Sequence, residues 1–153
     1  MSLSDNYTAT FTTSVKDLAG NGLATDQTWN FINRSDTTPP TVSSTSPADN
    51  ATTVAVNSPV TATFSDYMAS STITTSNFYL KDSSNNTITS SVSYSGVTAT
   101  LTPSSNLSEN STISATLTTN ITDLAGNGIA SNYSWSFTTG DFTAPIVREV
   151  TAV

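Results

Sequence analysis

The segment YTATFTTSVKDLAGNGLATDQTWNF at residues 7–31 returns as ISATLTTNITDLAGNGIASNYSWSF at residues 113–137, a displacement of 106 residues (113 − 7). Both copies keep an alternating stretch, the hexapeptide DLAGNG, and a second stretch carrying Trp-x-Phe. A period this long marks domains in series, and it sets the frame for everything else in the chain. The flanking prolines repeat with one residue of slippage, as TTPPTV at 37–42 and FTAPIV at 142–147. Proline fixes φ and has no N–H for a sheet ladder, so each pair marks a stiff joint.

Between the joints, period-2 apolar runs separated by turn residues predict strands at 41–46, 53–56, 60–64, 77–81, 87–94, 97–102, 111–121 and 133–138. Turns are expected at 47–50, 82–86, 95–96 and 103–108. Side chains on a strand change face at each residue, so Val60, Ala62 and Phe64 should point into one core. Trp135 and Phe137 should meet them there, as should Ile113, Ala115, Leu117 and Ile121. Seven or eight short strands in about 100 residues is the pattern of a β-sandwich.

Composition supports an all-β chain. Ser (26), Thr (31) and Asn (14) make up nearly half of the 153 residues, while charged residues are only 10%. Thr suits a half-exposed pleated strand, and Asn and Ser suit the turns between strands. Eleven acidic residues face only Lys16, Arg34, Lys81 and Arg148, giving a net charge of −7. Four scattered cations cannot build the basic face that a phosphate backbone needs, so nucleic acid is not expected as a partner. No apolar run approaches the ~20 residues of a membrane-spanning helix. The chain has no Cys, so neither a disulfide framework nor a thiolate metal site is available. In an exported protein, that absence points towards bacteria.

The stretch PPTVSSTSPADNATTVAVNSPVTATFSDYM at 39–68, taken with DLAGNG at 123–128 and WSFTTG at 135–140, resembles the bacterial Ig-like domains of the S-layer protein SbsA type. The resemblance implies an all-β, immunoglobulin-like sandwich of seven to eight strands, with no catalytic residues to carry over. It covers residues 39–140 and, by its second half only, residues 5–34. One departure is local: the family usually places Pro between an acidic residue and the Met, whereas Asp66 is followed here by Tyr67. That substitution removes a stiffening proline from the bend.

The expected organisation is therefore an added start at 1–4 and the last two strands of a preceding repeat at 5–34, forming a β-hairpin. A Pro-containing linker at 35–40, a complete Ig-like domain at 41–140, and a linker with the first strand of a following repeat at 141–153 complete it. Neighbouring repeats are the natural partners in such an array. A hairpin without its sheet has an apolar face to cover, so a homodimer through residues 5–34 is expected of the isolated chain.

The residues that could carry chemistry are few. His and Cys, the usual bases and nucleophiles, are absent, and the many Ser residues lack a plausible base, so no enzyme is expected. Asp17, Gly20 and Asn21 in the first DLAGNG, and Asp123, Gly126 and Asn127 in the second, read as turn residues. In these, the Asp caps the backbone and the Gly takes a left-handed conformation. A sharper reading gathers Asp36, Asp66 and Asp123 at a domain junction as oxygen ligands for calcium; no other cofactor is expected. Tyr67, Tyr79, Tyr94 and Phe142 could form a sugar-stacking platform, although their scatter favours packing roles. The function expected is a non-catalytic structural or spacer repeat of an exported bacterial cell-surface or S-layer-like protein. The alternative is an adhesion module binding carbohydrate or protein.

Overall fold

The computed structural model describes residues 5–33 and 35–144; the start expected at 1–4 and the part of the expected following repeat beyond residue 144 lie outside the described residues. Chain contacts divide the protein into two compact units, Met1–Thr37 and Thr38–Val153.

The first unit is a hairpin of β1 (Asp5–Phe11) and β2 (Gln27–Asn33), paired antiparallel with Ala9 opposite Trp29 and Tyr7 opposite Phe31. Alternation sorts its faces. One carries Tyr7, Phe11, Trp29 and Phe31, with Tyr7 stacked on Phe31 and Phe11 tilted against Trp29. On the other, Thr8 bonds to Asn30 and Thr10 to Thr28 across the strands.

The second unit is an Ig-like β-sandwich. One sheet has the order β4 (Ala51–Val54), β11 (Tyr133–Thr139), β10 (Thr112–Leu117), β6 (Phe78–Lys81), β7 (Thr87–Ile88). The other has the order β3 (Val42–Ser46), β5 (Val60–Phe64), β9 (Thr98–Pro103), β8 (Ser90–Ser95). All neighbours are antiparallel except β4 and β11, which run parallel.

The core lies between the sheets. Val60, Ala62 and Phe64 of β5 with Ala99 and Leu101 of β9 face Phe78, Leu80, Ile113, Ala115, Leu117, Trp135 and Phe137 of the opposite sheet, all buried. Met68, Ile73, Leu107, Ile121 and Ile129 join the same cluster from the loops. The alternate residues are the hydroxyls that dominate the composition, and they bond across strands, as Thr63 does with Thr98 and Thr116 with Ser134.

Three strands differ from the sequence expectation. The run at 87–94 divides at Thr89, because the chain leaves one sheet at β7 and joins the other at β8. Apolar alternation continues through such a crossing, so it hides the change of sheet. The strand expected at 53–56 lies instead at Ala51–Val54, locked to β11: Asn50 N–H donates to Ser136 C=O (2.7 Å), Ser136 N–H to the Asp49 carboxylate (3.0 Å), and Trp135 Nε1 to Pro47 C=O (3.1 Å). The run at 111–121 pairs only through Leu117; a turn follows, in which Ile121 N–H bonds to Thr118 C=O.

The order of the strands also sets where the chain enters and leaves. Thr41 C=O accepts from Ser65 N–H, beside the loop after β5, whereas Gly140 N–H bonds to Val54 C=O beside the loop after β4. The two joints of the sandwich therefore lie at opposite ends. Phe137→Ala should cost about 3–5 kcal/mol of stability, and Thr98→Ala under about 1 kcal/mol, measured by urea unfolding. Equal costs would show that the inter-sheet core is not where the stability resides.

Candidate functional site: the aspartate turns

DLAGNG is a hydrogen-bonded turn built around its first residue. One carboxylate oxygen of Asp123 accepts the backbone N–H groups of Ala125 and Asn127, both at 2.8 Å, while the other accepts the Asn127 side-chain amide at 2.8 Å. The chain reverses because Gly126 adopts φ = 92°, where a side chain would strain the backbone. Gly128 is required for a different reason: a Cβ there would sit 2.6 Å from the Thr119 carbonyl oxygen. Asp17, Gly20 and Asn21 repeat the arrangement in the hairpin, with Asp17 accepting from Ala19, Asn21 N–H and the Asn21 amide, and Gly20 at φ = 90°.

The turn expected at 82–86 is a third copy of the same arrangement. Asp82 accepts from Ser84 N–H, Asn86 N–H and the Asn86 amide in the turn after β6, and Asn85 takes the left-handed position at φ = 66°. Its kinship with DLAGNG is carried by Asp-x-x-x-Asn alone, since the segment has no glycine. Its existence shows that this turn closes a hairpin by itself.

The turns also hold their carboxylates ionised. Asn21 keeps Asp17, and Asn86 keeps Asp82, below the ordinary carboxylate range by donating to the charged form. For Asp123, which is 2% exposed, burial pushes the pKa up, but the donors Asn127, Ala125 and Gly126 outweigh it and bring the value below normal.

Asp66 comes to Asp123 through the bend after β5. Met68 pairs with Asp123 as a bridge, Leu124 N–H bonds to Tyr67 C=O, and a carboxylate oxygen of Asp66 lies within 4.8 Å of one of Asp123. Two oxygens at that separation can share one hard cation, but Asp123 already satisfies three donors of its own turn. Asp36 lies in the first unit and is exposed. The bend that lacks its proline is fixed instead by the Tyr94 hydroxyl, which accepts Met68 N–H at 2.7 Å.

The four aromatic residues do not converge. Tyr94 is taken up by that bond, Tyr79 packs beside Lys81 on the outer face of its sheet, Tyr67 is exposed near the end where the chain enters, and Phe142 lies beyond the end where it leaves. The groove lined by Asp82, Ser84, Ile88, Asn106, Leu107 and Ser108 holds about 380 Å³ and one carboxylate, already engaged in its own turn.

The second unit thus belongs to the class of Ig-like sandwiches. Residues 36–139 match the family model described as bacterial Ig-like domain, and the chain belongs to that family. Among solved structures, it is similar to domains 1–6 of the surface layer protein SbsC at 21% identity and a TM-score of 0.52, covering 68% of this chain and 14% of that one. It is likewise similar to the N-terminal part of the bacterial S-layer protein SbsC at 21% identity and a TM-score of 0.52, covering 67% of this chain and 24% of that one. CopC from Methylosinus trichosporium OB3b shares 12% identity at a TM-score of 0.56, covering 70% of this chain and 99% of that one. At these identities the likeness is one of fold. No curated protein matches the chain by sequence.

Because the unfolded chain protonates Asp123 more readily than the folded one, the turn's contribution is complete above the ordinary carboxylate pKa of 3.8 and is lost as pH falls through the lower folded value. Stability should therefore be flat near neutrality and fall below about pH 4. Asp123→Ala should cost about 2–4 kcal/mol at pH 7 by leaving donors unpaired, with Asp123→Asn in between and showing a shallower acid slope. Thermal melts across pH check both.

Proposed function

We propose that the sandwich is a non-catalytic, tension-bearing spacer repeat of an exported bacterial surface protein. The observation that carries this reading is the parallel pairing of β4 with β11 in a domain whose two joints lie at opposite ends. Tension along the chain would draw β4 and β11 past each other lengthwise, loading the bonds from Asn50 to Ser136 and from Gly140 to Val54 together rather than one after another. Antiparallel closure with both joints at one end would peel apart instead.

Other features support the same role. Buried side-chain polar atoms among the described residues all have partners, so no orphaned group waits for a substrate. Hydroxyls and amides dominate the composition, with charged residues only 10%, which suits an exposed surface of varying salt. The membership in a bacterial family and the likeness to S-layer domains support a cell-surface setting.

Calcium at the junction is a second proposal, favoured by the approach of Asp66 to Asp123.

Two measurements test these readings. Pulled between Thr41→Cys and Asp141→Cys, the sandwich should yield at a force several times higher than when pulled between Asn57→Cys and Asp141→Cys, which unzips β4 from β11. Similar forces in both directions would remove the tension-bearing role. Calcium at about a hundred times its Kd should raise Tm by roughly 10 °C, and Asp66→Asn should abolish the shift. No heat on titration and an unmoved Tm would dispose of the ion.

A further inference from the structure

The two copies of the repeated segment have the same geometry and opposite burial. Register is conserved pair by pair: Tyr7 opposite Phe31 corresponds to Ile113 opposite Phe137, and Ala9 opposite Trp29 to Ala115 opposite Trp135. The loops agree as well. Leu23 N–H reaches Val15 C=O at 3.2 Å as Ile129 N–H reaches Ile121 C=O at 3.2 Å, and a Cβ on Gly22 would meet the Thr13 carbonyl at 2.6 Å, as one on Gly128 would meet that of Thr119. Yet Tyr7, Phe11, Val15, Trp29 and Phe31 are 45–54% exposed, while their counterparts Ile113, Leu117, Ile121, Trp135 and Phe137 are 3% exposed or less. A hairpin alone gains nothing from presenting five large apolar side chains on one face, because isolated two-stranded sheets are marginal in water.

From this correspondence we infer that residues 5–33 form a docking surface. Its occupant is the set of strands that, in the second unit, runs from β3 to β9, here supplied by polypeptide joined ahead of Asp5. The second unit shows what that occupant does. It places a β6-type strand against the free edge of β1, as β6 pairs with β10, and a β4-type strand parallel to β2, as β4 pairs with β11. It lays β5- and β9-type residues such as Val60, Ala62, Ala99 and Leu101 over the aromatic face.

A second copy of the chain fits less well. Each copy already closes its sandwich with β10 and β11, so exchanging hairpins between two copies covers two and uncovers two. Packing two hairpins face to face joins four half-exposed aromatics from each copy. At 150–250 Å² per ring, about half of it exposed, the eight rings alone contribute roughly 600–1,000 Å², and face-to-face packing leaves the outer edges of β1 and β2 unpaired. The homodimer expected from the sequence would thus cover the aromatic face without pairing the strand edges.

The test extends the full chain. Residues 36–112 are placed directly before Tyr7, so that Tyr7 follows Thr112 as Ile113 normally does. The added segment contains no Trp. In the extended protein, hydrogen exchange of the β1 and β2 amides should slow by about a hundredfold or more, because they would open only with the whole new sandwich. In a Trp135→Phe background, Trp29 emission should shift to the blue and acrylamide quenching should fall severalfold. Phe31→Ser should then unfold the first sandwich and leave the second intact. Exchange and quenching unchanged by the extension would overturn the inference. So would a 153-residue chain that sediments as a dimer at about 10 μM with Trp29 already protected, since a second copy would then be the occupant. The exchange measurement stands even if Trp135→Phe fails to fold.

Discussion

The sandwich depends on covering one face of its last hairpin. Ile113, Ala115 and Leu117 on β10, with Trp135 and Phe137 on β11, are buried only because β5 and β9 lie across from them. Burying an aromatic or aliphatic side chain contributes about 1.5–3 kcal/mol, so these five contacts rival the net stability of a whole domain. The same two strands carry the frame in the other direction: β6 hydrogen-bonds to β10 and β4 to β11. Removal of that hairpin would strip the core of one wall and leave two edges unpaired. The first unit shows the same hairpin geometry with its apolar face exposed.

With so few charges, the polar surface has to be organised by short hydrogen bonds, and the Asp-x-x-x-Asn turn is the recurrent device. Its carboxylate replaces the partners that backbone N–H groups lose where a strand reverses, and its Asn donates back to the same carboxylate. The turn is self-contained, which is why it serves equally at the exposed Asp17 and the buried Asp123. What differs at Asp123 is the neighbourhood. The bend after β5 pairs with it through Met68, and Tyr94 on β8, in the same sheet as β5, holds that bend. One buried turn therefore ties the two sheets together at the end where the chain enters.

Much of this was legible in the sequence, for identifiable reasons. Period-2 alternation found the faces of β5, β10 and β11, because those strands are buried on one side only. The long repeat located the closing hairpin and its DLAGNG turn twice over. Alternation failed where its assumption failed. At Thr89 the apolar rhythm persists while the chain changes sheets, and at Ala51–Val54 the pairing is set by Asp49, Asn50 and Trp135, whose bonds follow no periodic pattern. The turn at 82–86 was expected, but its kinship with DLAGNG was hidden by the missing glycines, because the carboxylate and the Asn four residues later do the capping. Asn at φ = 66° can stand in for Gly there because it tolerates the left-handed region better than most residues.

The approach of Asp66 to Asp123 can be explained without any ligand. Asp66 is carried there by the bridge from Met68 to Asp123 and by the bond from Leu124 to Tyr67, both of which are needed to close the sandwich at that end. Asp123 remains ionised because its own turn stabilises the charge against burial. The fold thus creates the acidic pair for structural reasons, because the bend after β5 has to meet the turn that carries Asp123.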